Sequence, residues 1–211
     1  MVKLIPVRSP EWLKKATQGL VWNFETDQKE VYLTFDDGPT PVITNWTLDL
    51  LGQYDAKATF FCVGNQVISN PAIFDRIINE GHAIGNHSND HLKGWKVSTK
   101  LYLENIDRAA ISIPSKLFRP PYGQITPAQV KALQKEGYDI IMWSLLSKDW
   151  DNSLDGEVCT KNVISRVKPG DIVVFHDSVK AKKNLMFALP KVLDELKGRG
   201  YRFKRIPELA R

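Results

Sequence analysis

Two adjacent carboxylates, two imidazoles four residues apart and a third imidazole far downstream are the groups in this chain that can do chemistry together. They lie in Thr34-Phe35-Asp36-Asp37-Gly38, His87-Ser88-Asn89-Asp90-His91 and Val174-Phe175-His176-Asp177. A divalent cation held by oxygen and nitrogen, with separate acid and base groups beside it, needs these residue types. The set predicts a metallohydrolase.

Each island has a plainer reading to be weighed. His87 and His91 project the same way if their segment makes a helical turn. Two histidines and one aspartate leave room for water on a borderline ion such as zinc. A chance pair of surface histidines is the competing account, yet two of the chain's four histidines fall here. Asp36 and Asp37 precede Gly38-Pro39, and a β-turn or helix cap would use one aspartate rather than two. Neighbours leaving a strand point in different directions, so one carboxylate can ligate while the other acts as general base. Arg119-Pro120-Pro121-Tyr122-Gly123 is a stiff segment whose plain reading is a turn. Its functional reading pairs Arg119 with a carboxylate such as Asp36 and aims the Tyr122 N–H at a developing oxyanion. His176 ends an apolar run and competes with an ordinary core histidine. As a proton donor to a leaving amine it needs a carboxylate partner, for which Asp149 is the choice. Asp177 either takes that part or caps the next turn.

These groups need elements that bring them to one place. Apolar runs predict seven strands at 31–34, 58–62, 83–85, 116–118, 140–143, 172–175 and 201–203. Amphipathic stretches predict helices at 41–54, 71–80, 99–111, 127–136, 157–167 and 185–199. Pro41, Pro71 and Pro127 suit first helical turns, with Thr40, Asn70 and Thr126 as N-caps. Leu185, Leu189, Val192, Leu193 and Leu196 have the spacing of a core-facing helix. Regular β–α alternation predicts one α/β domain with a mainly parallel sheet. Residues 1–30, with Trp12, Trp22 and Phe24, are expected to pack on it as an extension to a domain spanning 31–211. Asp36-Asp37, Asn86-His87, Arg119, Asp149-Trp150 and His176-Asp177 follow the first, third, fourth, fifth and sixth strands. The carboxyl ends of parallel strands share one face, where sites assemble from separate loops.

Composition narrows the partners. The chain has 211 residues, 43% hydrophobic and 25% charged, enough for a continuous core. Its formal charge of +5 is scattered, apart from Lys180-Ala181-Lys182-Lys183 and the stretch 199–205. No basic helix interleaved with aromatics occurs, so nucleic acid is not expected as a partner. Cys62 and Cys159 cannot build a disulfide framework, and Cys62 sits in a run that predicts burial. The N-terminus lacks a signal-like apolar region, and no run is long enough to span a membrane. A cytoplasmic location is the resulting expectation, with export the alternative if a leader has been removed.

In this order the islands resemble the polysaccharide deacetylase family, also known as carbohydrate esterase family 4 or the NodB-homology domain, over residues 31–203. The resemblance implies Asp36 as base, Asp37, His87 and His91 as metal ligands, Arg119 as the group steadying the base, and His176 as acid. Asp149-Trp150 is similar to the end of the fourth motif and His176-Asp177 to the fifth. Two positions depart from the pattern: Leu146 stands where the fourth motif has aspartate, and Val174 where the fifth has leucine beside the acetyl-methyl pocket. The implied fold is a distorted, incomplete (β/α) barrel. The implied activity is metal-dependent removal of N-acetyl groups from amino sugars of chitooligosaccharide or peptidoglycan type. Zinc is the first choice of ion, with cobalt, nickel or iron compatible with the same ligands. Trp150 and Trp95 are candidates to stack on sugar rings; core packing is an equal reading of Trp150 and the preferred one of Trp95. Competing functions are an O-acetyl esterase on xylan, a small-amide amidohydrolase on the same barrel, and a non-catalytic glycan-binding module.

Overall fold

The structure, a computed structural model, describes residues 5–17 and 19–209. Period-two burial gives its strands two distinct faces. In β2 (Glu30–Asp36), Val31, Leu33 and Phe35 join the apolar layer beneath the helices, while Tyr32, Thr34 and Asp36 turn inward. In β8 (Ile172–His176), Val173 and Phe175 face that layer, leaving Ile172, Val174 and His176 inside. β3 (Thr59–Cys62) sends Phe60 and Cys62 outward and Phe61 inward. The interior is therefore graded along its axis. Tyr32, Phe61, Leu117, Ile141, Ile172 and Ile206 plug one end. Thr34 and Val174 pair above them, and Asp36 and His176 pair at the other end.

Six further strands complete the sheet: β1 (Leu20–Val21), β4 (Ala83–Asn86), β5 (Leu117–Phe118), β6 (Asp139–Ile141), β7 (Leu145–Leu146) and β9 (Arg202–Lys204). Their order is β1-β6-β5-β4-β3-β2-β8-β7, with β9 beside β2, and every ladder pair is parallel. This order forces curvature. In a flat sheet the six steps from β6 to β7 would span about 29 Å. The chain between Ile141 and Leu145 reaches at most about 15 Å. The sheet must curl until its ends approach, which makes the incomplete barrel. The N-terminal segment lines the remaining seam. Arg8 forms an antiparallel bridge with Leu145, and its guanidinium pairs with Asp171.

All seven expected strands are present. The two further ones, β1 and β7, are two residues each. The expected strand 140–143 ends at Ile141, because residues 142–144 make the crossing to β7; Asp149 therefore follows β7.

The helices are α1 (Glu11–Ala16), α2 (Ile43–Gln53), α3 (Gly64–Ser69), α4 (Pro71–Asn79), α5 (Thr99–Ala110), α6 (Pro127–Lys135), α7 (Gly156–Ile164) and α8 (Lys182–Gly198). Thr126 caps α6 in a reciprocal box with Gln129. Asn70 does not cap α4; its amide donates to the Pro39 and Gln66 carbonyls. Thr40 does not cap α2 either, since that helix starts after Val42, whose φ is 68°. Leu185, Leu189, Val192, Leu193 and Leu196 are fully buried along α8, each worth roughly 1.5–3 kcal/mol of transfer free energy. Trp22 packs against Trp143 and Phe24 against Tyr32, whereas Trp12 is 70% exposed. Cys62 and Cys159 are both buried and unbridged. No helix among the described residues is long and apolar enough to cross a membrane.

Candidate active site

The loop after β4 carries both histidines, and its shape is not the helical turn expected. Ser88 and His91 adopt left-handed φ values of 62° and 54°. Such backbone is held by its surroundings. Asn86 Oδ1 accepts the Ser88 N–H at 2.8 Å, and Asn105 Oδ1, from α5, accepts those of Asn89 and Asp90 at 2.9 and 3.0 Å. Asn105 also donates to the Asp90 carboxylate, as does Arg108. Two buried asparagines, braced by the exposed Asp90 and Arg108, thus aim the two imidazoles.

His87 Nδ1 lies 2.7 Å from the Arg119 carbonyl oxygen. A carbonyl only accepts, so Nδ1 carries the proton and Nε2 presents its lone pair. Burial pushes the His87 pKa down to about 4, keeping the ring neutral. Asp37 Oδ1 is 3.8 Å from His87 Nε2 and 3.2 Å from His91 Nε2. The three donor atoms lie within 4.8 Å of one another. Atoms sharing one ion at about 2.1 Å sit roughly 3–3.5 Å apart, so a small inward adjustment seats a cation. Burial alone would raise the Asp37 pKa, but the His91 hydrogen bond and the nearby histidines hold it well below the usual carboxylate range. Asp37, His87 and His91 form a possible metal site.

Asp36 leaves β2 on the inner face, turned from Asp37 by the latter's φ of 82°. Arg119, fully buried, donates from Nη1 to Asp36 Oδ1 and to Thr34 Oγ1, both at 2.7 Å. Its Nε and Nη2 reach the Ile141 and Met142 carbonyls, and its plane lies 4.0 Å from the Phe61 ring centroid. Every edge of the guanidinium is occupied, so the group cannot swing away from Asp36.

His176 and Asp149 form the second dyad. The Asp149 carboxylate faces His176 Nδ1 at 2.9 Å and accepts the His176 backbone N–H at 2.7 Å. Burial would lower the imidazole pKa, but the adjacent Asp149 charge and hydrogen bond outweigh it and raise the value to about 9. Asp177 is not His176's partner. Its carboxylate accepts the Gly38 N–H at 3.1 Å and the Thr44 hydroxyl at 2.5 Å, fixing the turn after Asp37. Burial raises the Asp177 pKa to about 7. A Cβ at Gly38 would run into that carboxylate, which is why glycine stands there.

The polysaccharide deacetylase profile matches residues 23–141. A peptidoglycan-N-acetylglucosamine deacetylase of Bacillus cereus is 39% identical over 200 residues, covering 91% of this chain and 93% of that protein. The chain belongs to the polysaccharide deacetylase family. The Bc1960 peptidoglycan N-acetylglucosamine deacetylase, solved in complex with 4-naphthalen-1-yl-N-oxidanyl-benzamide, is similar with a TM-score of 0.87 at 33% identity. That match covers 94% of this chain and 95% of the other. A family 4 carbohydrate esterase from Streptomyces lividans, in complex with acetate, has a TM-score of 0.75 at 30% identity, covering 85% and 93%.

The remaining positions sit around this family site. The Tyr122 ring packs on His91 with centroids 4.6 Å apart, and its backbone φ is 59°. Trp150 meets His176 edge-on at 4.8 Å. Trp95 is 57% exposed, its indole N–H bonded to the Ile125 carbonyl, so the preferred core reading is corrected. Val174 and Leu146 are buried neighbours in register on β8 and β7. Asn105 was not singled out from sequence, and Thr34 was quoted as the start of its island without a role. Each acts on residues distant in the chain, which no local pattern reveals. A recess of about 1130 Å³ around His82 and Leu209 lies at the opposite end of the barrel, away from all these groups.

Proposed function

We propose that this protein is a metal-dependent hydrolase that removes N-acetyl groups from amino sugars of a glycan, with peptidoglycan N-acetylglucosamine as the leading substrate. One observation carries the reading. Asp36 and His176 stand level on adjacent strands, each locked by its own buried partner, beside the Asp37–His87–His91 cluster. The similarity to peptidoglycan deacetylases supports the substrate class.

A divalent ion bound there, zinc first and cobalt, nickel or iron as alternatives, supplies Lewis-acid polarisation of the acetyl carbonyl and a water of lowered pKa. Asp36 takes a proton from the attacking water as the new C–O bond forms. Arg119 keeps the carboxylate aimed at that water. The Tyr122 N–H donates to the oxygen on which charge develops. His176 gives its proton to the nitrogen as the C–N bond breaks, and Asp149 holds the imidazole in place and protonated. Val174 walls the space for the acetyl methyl group, and Trp150 presents an apolar edge to a sugar ring. Residues 1–30 act as an extension and 31–211 as the catalytic domain. A peptidoglycan substrate would place the work outside the cytoplasmic membrane, and a soluble amino sugar would place it inside.

The test is acetate release from peptidoglycan, chitooligosaccharide, acetylxylan and small amides, before and after chelation and reloading with single metals. Metal-dependent release from the N-acetylated glycans is expected. An N-hydroxybenzamide, whose two oxygens chelate divalent ions, should inhibit it. Preferential release from acetylxylan points to the esterase, turnover of small amides alone points to the amidohydrolase, and glycan binding without release points to the module.

A further inference from the structure

The His176 side of the site continues into a patch of positive charge. Lys180, Lys182 and Lys183 are exposed where the chain passes from β8 into α8, and half-buried Lys148 precedes Asp149 on the next loop. Among the described residues, none of these four lysines makes an ion pair or a side-chain hydrogen bond. The nearby acids are engaged. Asp151 accepts from the Ser153 hydroxyl and N–H at 2.6 and 3.0 Å, and Asp155 caps α7 through the Val158 N–H. The Ser153 bonds, and then the charges of Lys148 and Lys180, hold the Asp151 carboxyl below its ordinary range, so both lysines act on this loop.

Lys180, Lys182 and Lys183 line a recess of about 660 Å³ with Asn152, Leu154 and Asn184. Asn184 joins that recess to the dyad. Its Nδ2 donates to the Asp149, Asp151 and Leu154 carbonyls at 3.2–3.3 Å, and the Asp149 carboxylate holds His176. Asn184 is 2% exposed, so this link between the recess and the dyad is fixed inside the fold. Lysines without an ion pair call for an anion, and a glycan carrying carboxylates supplies one. Exposed ammonium groups also bind without a large desolvation cost, in a salt-dependent way.

We propose that Lys180, Lys182 and Lys183, with Lys148, form a subsite for a carboxylate on the glycan residue next to the one being deacetylated. The enzyme then selects anionic over neutral N-acetylated polymers. This rests on the deacetylase reading for its place beside the reacting sugar.

The experiment uses the metal-loaded full chain and one peptidoglycan glycan fragment, with its carboxylates free or methyl-esterified. Dissociation constants are measured at low and at raised salt. The wild type should prefer the free acid by about tenfold at low salt, the sum of three weak exposed contacts, with the preference shrinking as salt is added. Lys180→Gln/Lys182→Gln/Lys183→Gln should bring the ratio towards one, and the Lys→Arg triple variant should retain it. Equal binding of both forms by the wild type, or an unchanged ratio in the Gln variant, overturns the subsite. Acetate release is followed in parallel. Absent release with the carboxylate preference intact removes the deacetylase reading and leaves the subsite standing.

Discussion

Asp36 and His176, to which the proposed mechanism gives opposite proton transfers, have opposite partners. Asp36 is paired with a cation that every edge of its own surroundings immobilises, and His176 with an anion that makes two hydrogen bonds to it. Asp36→Asn keeps the size and the Arg119 contact but cannot take a proton. Acetate release should fall by about 10²–10³-fold, while metal content measured by elemental analysis stays at one ion per chain. Wild-type turnover in a folded Asp36→Asn protein ends the base assignment. For His176 the sign follows from its raised pKa, about 9 against an ordinary 6.5. The proton to be donated is present at neutral pH and is lost as pH rises through about 9. The stabilisation from the charged pair is likewise complete below 6.5 and disappears across the same interval. Asp149→Asn removes the main raising influence, so the alkaline limb of kcat/KM should move to lower pH. An unmoved limb would show that another group sets it.

At the scale of elements, the histidine loop depends on α5. Asn105 is fully buried and binds two successive N–H groups and the Asp90 side chain. Asn105→Ala would free the Asn89 and Asp90 N–H groups that lie between the two left-handed residues, leaving the Asn86 bond to the Ser88 N–H. Metal affinity, measured by competition with a fluorescent chelator, should weaken about 10–100-fold, as for lost outer supports of metal ligands. An affinity within twofold of wild type would show that the loop is rigid without it. This dependence explains how far the sequence could be read. The strands bearing Asp36 and His176 were legible because apolar runs of three or more residues carry their own signal; β5, only two residues long, was legible because the stiff Arg119-Pro120-Pro121 segment ended it. β1 and β7 were not, since two residues show no period. Asn105 was hidden because a lone asparagine on a helix looks solvated until the loop it serves folds over it. His87 and His91 do lie side by side, as the i, i+4 spacing allowed, but left-handed backbone rather than a helical turn brings them together.

For the whole molecule, the question is what keeps a curled, unclosed sheet from springing open. Asp171 stands at the seam, 3% exposed, taking hydrogen bonds from Arg8, the Ser144 hydroxyl and the Lys168 N–H. Asp171→Ala removes the carboxylate from Ser144 and Arg8, leaving them only the Ile172 and Arg166 carbonyls. Stability in urea should drop by about 2–3 kcal/mol, less than for a wholly buried pair because Arg8 keeps some contact with water. A loss under about 0.5 kcal/mol, the range of ordinary surface substitutions, would mean that the N-terminal segment is not what secures the seam.

Arg119 holds Asp36 with its side chain and His87 with its main-chain oxygen. Any of the twenty amino acids brings that oxygen, but only arginine brings the fork. Under the proposed mechanism, drift at this one codon would cripple proton abstraction while sparing the contact that aims His87. On that reading, descent from catalyst to a protein that merely clasps its sugar is, in this architecture, a single step long.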